Sequence, residues 1–257
     1  MDLEETTFLL RSAGCVYAEE EAAVLSEAAS DGEGPGSLET LVARRVAGEP
    51  LEVIVGWADF GGLRVRIVPG VFVPRQRSIA LVEAAVAAAP KRLLDLGCGS
   101  GALAAAVRRR LPDLEVWAVD VDPAAVACAA LNLPRVPGEQ VLCGSWFEPL
   151  PASLRGTFDV ILANAPYVPS AAVALMPPEA RDHEPLTALD GGTDGLDRQR
   201  VVIGQAPQWL RPGGRLVIEV GEAQVATATT LVEESGLRAT VLTDADLGAT
   251  VLIGEAA

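Results

Sequence analysis

After Ser78, short apolar runs alternate with segments of helical periodicity. This alternation restricts the fold of the chain more than any other feature of its sequence. Short apolar runs predict strands at Arg92–Leu96, Glu115–Val119, Gln140–Cys143, Phe158–Ala163, Arg215–Val220, Ala239–Thr243 and Thr250–Ile253. Helical periodicity predicts helices between them at Ala102–Arg110, Pro123–Leu131 and Leu196–Leu210. This order is typical of a parallel sheet covered on both faces. Residues 74–257 are therefore predicted to form one α/β domain, whose ligands bind beyond the carboxyl ends of its strands.

The first 73 residues have a different pattern. Apolar residues at three- and four-residue spacing predict helices at Thr6–Ala13, Ala18–Ala29 and Ser37–Ala47, with a loop of helix-breaking residues at 31–36. Residues 1–50 are thus predicted to be a small helical domain that packs on the rest of the chain. Residues 51–73 carry β-like runs at Val53–Trp57 and Leu63–Val68, and are predicted to form a hairpin linker.

The charge of the chain restricts its partners. Its 35 acidic residues oppose 20 basic ones, which gives a formal net charge of −15. A protein that neutralises many phosphates needs a basic face, so stable binding of nucleic acid is not expected. A small polar or cationic partner fits this charge better.

No metal site, disulfide framework or membrane span is expected. Cys15, Cys98, Cys128 and Cys143 are scattered, and His183 is the only histidine. No apolar run reaches the roughly 18 residues that a spanning helix needs. The acidic N-terminus also lacks the layout of a secretion signal, so the expected location is the cytoplasm.

A glycine-rich turn follows the first predicted strand of the α/β domain. Gly97, Gly99 and Gly101 allow close approach of a ligand, and the next helix has free N–H groups at its start. Asp120, at the end of the next strand, is placed to accept hydrogen bonds from ribose hydroxyls. The same glycines satisfy a G-x-G-x-x-A dinucleotide fingerprint, and they would also suit a purely structural turn.

Asp95 favours a methyl donor over a dinucleotide. Its carboxylate precedes the first glycine by two residues and is expected to lie close to the bound ligand. A pyrophosphate would be repelled there, whereas the cationic amino acid portion of S-adenosyl-L-methionine would be attracted. The D-x-G-x-G-x-G spacing also resembles motif I of class I methyltransferases.

The strand at Phe158–Ala163 ends in an unusual polar corner. Asn164 has one acceptor and a two-proton donor, and Pro166 frees the carbonyl of Ala165 from strand pairing. Tyr167 adds a flat face. Two acceptors beside a ring could hold a planar NH2 group, so the corner predicts methyl transfer to nitrogen. An ordinary Asn-Pro turn remains the alternative.

With these residues in place, the sequence resembles the HemK/PrmC family of protein-(glutamine-N5) methyltransferases, which use Asn-Pro-Pro-Tyr. The resemblance spans nearly the whole chain, through Arg44–Pro50, Pro69–Arg75, the glycine turn, Asn164–Tyr167 and Glu184–Gly195. It implies a Rossmann-like class I methyltransferase domain with a seven-stranded, mostly parallel sheet whose last strand is antiparallel. It also implies that the helical N-terminal domain helps to dock the substrate.

The resemblance implies roles for individual residues. The cofactor S-adenosyl-L-methionine would be bound by Asp95, Gly97, Cys98, Gly99, Ser100, Gly101, Asp120, Val121, Trp146, Asn164, Pro74 and Arg75. Trp146 would lie beside the adenine, and the Pro74-Arg75 loop would help to close the site. The catalytic residues would be Asn164, Ala165, Pro166 and Tyr167. Asn164 and the Ala165 carbonyl would grip the substrate amide, with Tyr167 packing beside it.

Three departures from the family pattern leave the methyl acceptor open. Ala165 replaces a proline, Ser145 occupies a position that is often aspartate, and Gln76–Ile79 lacks the acidic residue that follows Pro-Arg. The leading hypothesis is a glutamine of a protein, such as a release factor or a ribosomal protein. The alternative is a free amino acid or biosynthetic intermediate that bears an amide or guanidine.

Two further hypotheses belong to other classes. Adenine-N6 methylation of nucleic acid would use a related corner, but the net charge of −15 disfavours it. A non-catalytic cofactor-binding module would not need Asp95 and Asn164. His183, in a polar loop, is interpreted as structural or solvated rather than as a general base.

Overall fold

The computed structural model describes residues 1–30, 36–133 and 140–257. Its helices are α1 (Leu3–Ser12), α2 (Ala18–Ser30), α3 (Leu38–Val46), α4 (Leu51–Val55), α5 (Ile79–Ala87), α6 (Ala102–Arg110), α7 (Pro123–Asn132), α8 (Ser170–Val173), α9 (Pro178–His183), α10 (Asp197–Gln205) and α11 (Val225–Glu234). Its strands are β1 (Trp57–Phe60), β2 (Leu63–Arg66), β3 (Arg92–Leu96), β4 (Glu115–Asp120), β5 (Gln140–Cys143), β6 (Phe158–Ala163), β7 (Leu210–Glu219), β8 (Arg238–Asp244) and β9 (Ala249–Glu255). The predicted loop at 31–36 lies outside the described residues, apart from Gly36.

Seven strands form one sheet in the order β5-β4-β3-β6-β7-β9-β8. The first five strands in this order are parallel, and β9 runs antiparallel between β7 and β8. The prediction of a seven-stranded, mostly parallel sheet with an antiparallel last strand is confirmed. The chain runs outward from β3 to β5 and then returns to β6 on the other side of β3. This reversal creates the switch point at which ligands bind in such sheets.

Both faces of the sheet are covered, which explains why its strands are continuously apolar. Successive residues of β6 belong to different cores: Val160 and Leu162 pack with α5 and α6, whereas Ile161 and Ala163 pack with α10 and α11. All four side chains are fully buried. The alternation of the pleat therefore divides one apolar run between two layers of helices.

The N-terminal helices have a small core of their own. Leu10, Leu25, Leu41 and Ile54 are buried together, so α1, α2, α3 and α4 pack around one cluster. The prediction of a β-like run at Val53–Trp57 is wrong over its first part. β-branched residues favoured a strand, but burial of Ile54 and Val55 against the other helices produces α4, which is terminated by Gly56 (φ +80°) just after Val55.

The hairpin begins only after this helix. β1 and β2 pair in antiparallel fashion, and Phe60 lies opposite Leu63. Gly61 and Gly62 form the two-residue turn between them, both with positive φ, as tight hairpins prefer. A single hairpin thus joins the N-terminal helices to the large sheet.

Two element boundaries near the end of α10 differ from prediction. The predicted helix Leu196–Leu210 stops at Gln205 and continues as a short 3-10 turn, because Pro207 has no N–H group for a helical bond. β7 begins at Leu210 rather than at Arg215 and pairs with Phe158 before a bulge in the register.

None of the helices in the described ranges is long and apolar enough to cross a membrane.

Candidate active site

A cavity of about 340 Å³ lies at the carboxyl ends of β3, β4 and β6, beside the switch point of the sheet. Its wall contains both motifs that the sequence singled out: the glycine turn after β3 and the four residues after β6. The two motifs are more than sixty residues apart in the chain, and the parallel pairing of β3 with β6 brings them together. Ten of the predicted cofactor-binding residues and all four predicted catalytic residues line this one cavity.

The glycine turn forms the floor of the cavity. Four of its residues line the wall: Gly97, Cys98, Gly99 and Ser100. Gly101 does not line it and has a different role. Its φ is +75°, and a Cβ added there would lie only 3.1 Å from the Cβ of Ala129 on α7. Gly101 therefore allows α6 to start close against α7.

Asp95 lies behind the turn and not in the cavity wall. Its side chain is fully buried, and Oδ2 accepts a hydrogen bond from the N–H of Ala104, in the first turn of α6, at 3.3 Å. The prediction that this carboxylate lies against the ligand does not match this position, because β3 carries the side chain into the protein interior. Burial raises the pKa of Asp95 to about 7.

Asp120 ends β4 and does line the cavity. Its Oδ2 accepts the N–H of Gly99 at 2.8 Å, and its Oδ1 accepts the N–H of Asp122 at 2.9 Å. Each carboxylate oxygen has a second lone pair, so Asp120 can also accept from ligand hydroxyls. Burial raises its pKa above the ordinary value for an aspartate.

Val121 and Trp146 add an apolar wall beside Asp120. Trp146 adopts left-handed backbone geometry (φ +48°), which is uncommon for a bulky residue. A Cβ built on Gly97 would lie 3.7 Å from its Cζ3 atom, so the ring packs over the glycine turn. A flat apolar group beside a hydroxyl acceptor suits a nucleoside.

The corner after β6 turns its four residues toward the cavity. Asn164 donates from Nδ2 to Ser78 Oγ at 2.9 Å. Within the described residues no donor contacts its Oδ1. The Ala165 carbonyl lies beyond the paired part of β6, as predicted, and accepts a hydrogen bond from Gln199 Nε2 at 3.3 Å. Its second lone pair remains available for a ligand.

A buried glutamate that was not predicted as a site residue supports this corner. Glu219, at the end of β7, is only 2% exposed. Its Oε1 accepts from Tyr167 Oη at 2.8 Å and pairs with Arg77 Nε at 2.9 Å, while its Oε2 accepts from Ser78 at 2.7 Å. Burial and the negative charge of Glu219 both raise the pKa of Tyr167. An acidic residue at the end of an apolar strand was the pattern that could have identified Glu219.

The Pro74-Arg75 loop closes one side of the cavity. Both residues line it, and Arg75 Nη2 donates to the two carboxylate oxygens of Glu184 at 2.8 and 2.7 Å. This ion pair ties the loop to the segment that follows α9. His183, next to Glu184, is exposed and does not line the cavity, which agrees with its interpretation as a solvated residue.

Comparison with known proteins places the chain in a family. A family model described as the methyltransferase small domain matches residues 62–176. The chain is 41% identical over 199 residues to the release factor glutamine methyltransferase of Geobacter sulfurreducens, with 76% of this chain and 69% of that protein covered. The chain belongs to the release factor glutamine methyltransferase family. The resemblance to HemK/PrmC proteins predicted from the sequence is thereby confirmed.

Two further members of the family show how much of their length is shared. The protein of Gloeobacter violaceus is 47% identical over 190 residues, which cover 71% of this chain and 65% of that protein. That of Cereibacter sphaeroides is 38% identical over 218 residues, with 83% and 77% covered. This chain therefore spans about two thirds of the length of the Gloeobacter relative.

Solved structures support the fold and the cofactor. The 16S rRNA N2 G1207 methyltransferase of T. thermophilus, in complex with AdoMet and guanosine, is 26% identical with a TM-score of 0.58, over 78% of this chain and 50% of that one. The ribosomal protein L11 methylase of Lactobacillus delbrueckii, at 18% identity and a TM-score of 0.53 over 75% of this chain and 86% of that one, shares the fold. The predictions of a Rossmann-like methyltransferase fold and of S-adenosyl-L-methionine as cofactor are confirmed.

The lining of the cavity fits that cofactor. Gly97 and Gly99 leave room for a ligand at the backbone, Asp120 retains lone pairs for hydroxyl groups, and Val121 and Trp146 flank them. No group of three or more His, Cys, Asp or Glu residues suitable for a metal occurs in the part of the chain that the structure describes. The individual contacts assigned to the cofactor stay predictions.

Proposed function

We propose that this chain transfers a methyl group from S-adenosyl-L-methionine to the side-chain amide nitrogen of a glutamine in a protein substrate. The observation that carries the proposal is the corner after β6. Asn164 Oδ1 and the Ala165 carbonyl are two acceptors at the end of one strand, beside the ring of Tyr167 and in the same cavity as the glycine turn. The names of the family members, which refer to release factors, indicate the first protein substrate to test.

The corner is suited to hold a planar NH2 group. Each of its two acceptors takes one proton of the group, and the ring of Tyr167 restricts the plane in which the amide can lie. When bound, S-adenosyl-L-methionine supplies a methyl group on a sulfonium that is open to attack by a nitrogen lone pair. The role of Asn164, Ala165 and Tyr167 is to aim that lone pair.

Positioning and exclusion of water supply most of the acceleration in this proposal. An amide nitrogen is a poor nucleophile, because its lone pair is delocalised into the carbonyl group. The excess proton on the nitrogen becomes acidic only as the new bond forms and can then pass to water, so a strong general base is not required beforehand. This agrees with a cavity wall that contains no histidine among the described residues.

The proposal also assigns a role to each part of the chain. Residues 1–50 dock the substrate, residues 51–73 link, and residues 74–257 bind the cofactor and catalyse, in the cytoplasm. A contact between the first and last of these parts supports this assignment: Arg45 on α3 pairs with Glu179 on α9 at 2.6 Å. Arg45 is itself held in place by Glu21 on α2 at 2.5 Å. The helical domain thus contacts the segment whose end, around Pro185 to Leu189, lines the cavity.

Substitution of Asn164 tests the assignment of the corner. We expect Asn164→Ala to lower the methyl-transfer rate on a release factor by about 10²-fold, since a misplaced amide loses near-attack geometry. Labelled methyl incorporation and cofactor affinity by calorimetry should be measured on the same preparations. An Asn164→Ala rate equal to that of the unaltered chain would show that the corner does not hold the acceptor.

A matched comparison of acceptors tests the substrate class. A release factor, free glutamine and adenine-containing DNA are offered in parallel to the unaltered chain, each with the same labelled cofactor. Label in the release factor alone supports the proposal. Label in free glutamine alone favours the small-metabolite hypothesis, and label in DNA alone favours the adenine hypothesis.

A further inference from the structure

A chain of hydrogen bonds connects the end of β7 with the polar corner after β6. Glu219 Oε2 accepts from Ser78 Oγ at 2.7 Å, and Ser78 Oγ in turn accepts from Asn164 Nδ2 at 2.9 Å. Ser78 is 1% exposed and Glu219 is 2% exposed, so water does not compete for these bonds. The three residues come from three separate segments that meet at the edge of the cavity.

The direction of each bond in this chain follows from counting protons. Glu219 faces the guanidinium of Arg77 at 2.9 Å, and the carboxylate of such an ion pair only accepts hydrogen bonds. The single proton of the Ser78 hydroxyl must therefore point to Glu219. The Ser78 oxygen then presents only lone pairs to Asn164, so Asn164 must turn its NH2 group to Ser78.

We propose that Glu219, acting through Ser78, holds the amide of Asn164 with its Oδ1 toward the cavity and thereby selects an acceptor that donates N–H. The inference rests on the proposed function and names two positioning residues for it. With the opposite orientation of Asn164, an NH2 group would face the NH2 group of the acceptor, and the two donors would repel each other. The preference of the site for an amide nitrogen thus originates at the end of β7.

Glu219 also fixes the other end of the corner. Tyr167 donates its hydroxyl proton to Glu219 Oε1 at 2.8 Å, and the guanidinium of Arg77 lies 5.5 Å from the centre of the Tyr167 ring. One buried carboxylate therefore orients both the acceptor atom of Asn164 and the ring that confines the substrate. Neither Glu219 nor Ser78 needs to contact the reacting atoms to have this effect.

The isosteric change Glu219→Gln tests the direction of the hydrogen bonds between Glu219, Ser78 and Asn164. A glutamine at 219 can donate to Ser78, which frees the Ser78 proton for Asn164 and favours the flipped amide. We expect kcat on a release factor to fall on the order of 10²-fold, with the cofactor Kd changed less than about twofold. Glu234→Gln, the same substitution on the exposed surface of α11, is the matched control and should leave both quantities unchanged.

A double variant separates this orientation effect from simple loss of packing. Asn164→Asp alone places a carboxylate oxygen against the Ser78 oxygen, and two acceptors then face each other. Adding Glu219→Gln reverses every bond, so that residue 219 donates to Ser78 and Ser78 donates to residue 164, with no change in total charge. We expect the double variant to be about tenfold more active than Asn164→Asp, and Ser78→Ala to abolish this rescue.

The activity of the double variant can also overturn the inference. If its activity equals the product of the two single effects, or falls below both, the residues are not coupled through a directed chain. Thermal unfolding of all variants identifies any that fail to fold. In that case Ser78→Thr, which keeps the hydroxyl, should retain the activity that Ser78→Ala loses, and equal activities of the two would contradict the chain.

The orientation of Asn164 can be measured without any methyl acceptor. In ¹⁵N NMR spectra, the Asn164 side-chain NH2 signals are assigned by their absence in Asn164→Asp. We expect their exchange with water to be at least about tenfold faster in Ser78→Ala and in Glu219→Gln than in the unaltered chain. Unchanged exchange would refute the directed hydrogen bonds from Glu219 to Asn164, even if glutamine methylation is found. Protected signals in a protein that methylates no glutamine would refute only the proposed function.

Discussion

At the scale of single residues, three carboxylates lie near the carboxyl ends of central strands and are compensated to different degrees. Asp120 accepts two backbone N–H groups, and Glu219 accepts from two hydroxyls and one guanidinium. Asp95 accepts only from Ala104, and its buried Oδ1 has no hydrogen-bond partner within the described residues. A buried charge with so little compensation is costly, which is why the pKa of Asp95 is raised to about 7.

This raised pKa predicts a pH-dependent loss of stability. The pKa of Asp95 is about 7 in the folded chain and about 3.8 in the unfolded one, so the folded chain holds this proton more tightly. The contribution of Asp95 protonation to the free energy of unfolding is therefore complete below pH 3.8 and is lost as the pH rises to 7. Asp95→Asn cannot ionise. The free energy of unfolding of Asp95→Asn, relative to the unaltered chain, should therefore increase by on the order of 1 kcal/mol per pH unit between these values.

Thermal unfolding from pH 4 to 8.5 measures this difference, which should level off above pH 7. Asp113→Asn removes an exposed aspartate and is the matched control for the loss of one negative charge. A difference between Asp95→Asn and the unaltered chain that does not vary with pH would show that Asp95 is ionised throughout this range.

At the scale of elements, the start of α6 against α7 depends on one glycine. Gly101 has a φ of +75°, and a Cβ there would lie 3.1 and 3.2 Å from the Cβ and Cα atoms of Ala129. Gly101→Ala combines left-handed backbone strain with overpacking, so we expect it to lower the free energy of unfolding by about 1–3 kcal/mol. Urea unfolding measures this loss.

The same substitution elsewhere should have the opposite sign. Gly204 lies in α10, is exposed, and has no neighbouring atom within 4 Å of a Cβ built on it. Gly204→Ala removes the entropic penalty of glycine in a helix and should stabilise the chain by about 0.5–1 kcal/mol. Equal effects of the two substitutions would contradict the packing role assigned to Gly101.

The ion pair between Arg75 and Glu184 joins two elements on the rim of the cavity. The Glu184 side chain is only 3% exposed, and burial raises its pKa although Arg75 acts in the opposite direction. Arg75→Ala would leave this carboxylate with only the N–H of Val73, at 3.3 Å, as a partner, and we expect a loss of about 1–3 kcal/mol in stability.

Hydrogen exchange of residues 178–190 should quicken in Arg75→Ala, because the segment loses its tie to the loop. Adding Glu184→Gln removes the uncompensated charge and should restore part of the stability. A double variant no more stable than Arg75→Ala would show that the cost does not come from the unpaired carboxylate.

Most elements could be predicted because their pattern is local. α6 coincides with its predicted bounds, as do β3, β5 and β6, since each is a short run with a glycine or a polar residue at one end or at both. α4 could not be predicted, because its helical form depends on burial of Ile54 among helices that begin up to fifty residues earlier. The early start of β7 likewise depends on pairing of Leu210 with Phe158 across a bulge.

At the scale of the whole molecule, the site combines segments that differ in how far they can be predicted. The glycine turn and the corner at Asn164 carry recognisable residue types at fixed spacing, so the sequence identified both. The roles of Glu219 and Gln199 depend on side chains that meet only after the sheet forms. The burial of Asp95 depends on which way β3 turns its residues, and the spacing of the motif does not contain that information.

The chemical position of the transferred methyl group tests the central claim most directly. A release factor is incubated with the unaltered chain and S-adenosyl-L-methionine, digested, and analysed by tandem mass spectrometry. We predict one added methyl group on the side-chain nitrogen of a glutamine, and none when Asn164→Ala replaces the unaltered chain. A methyl group on any other atom of the protein, or found only on a small molecule or on adenine when these are supplied, would contradict this claim.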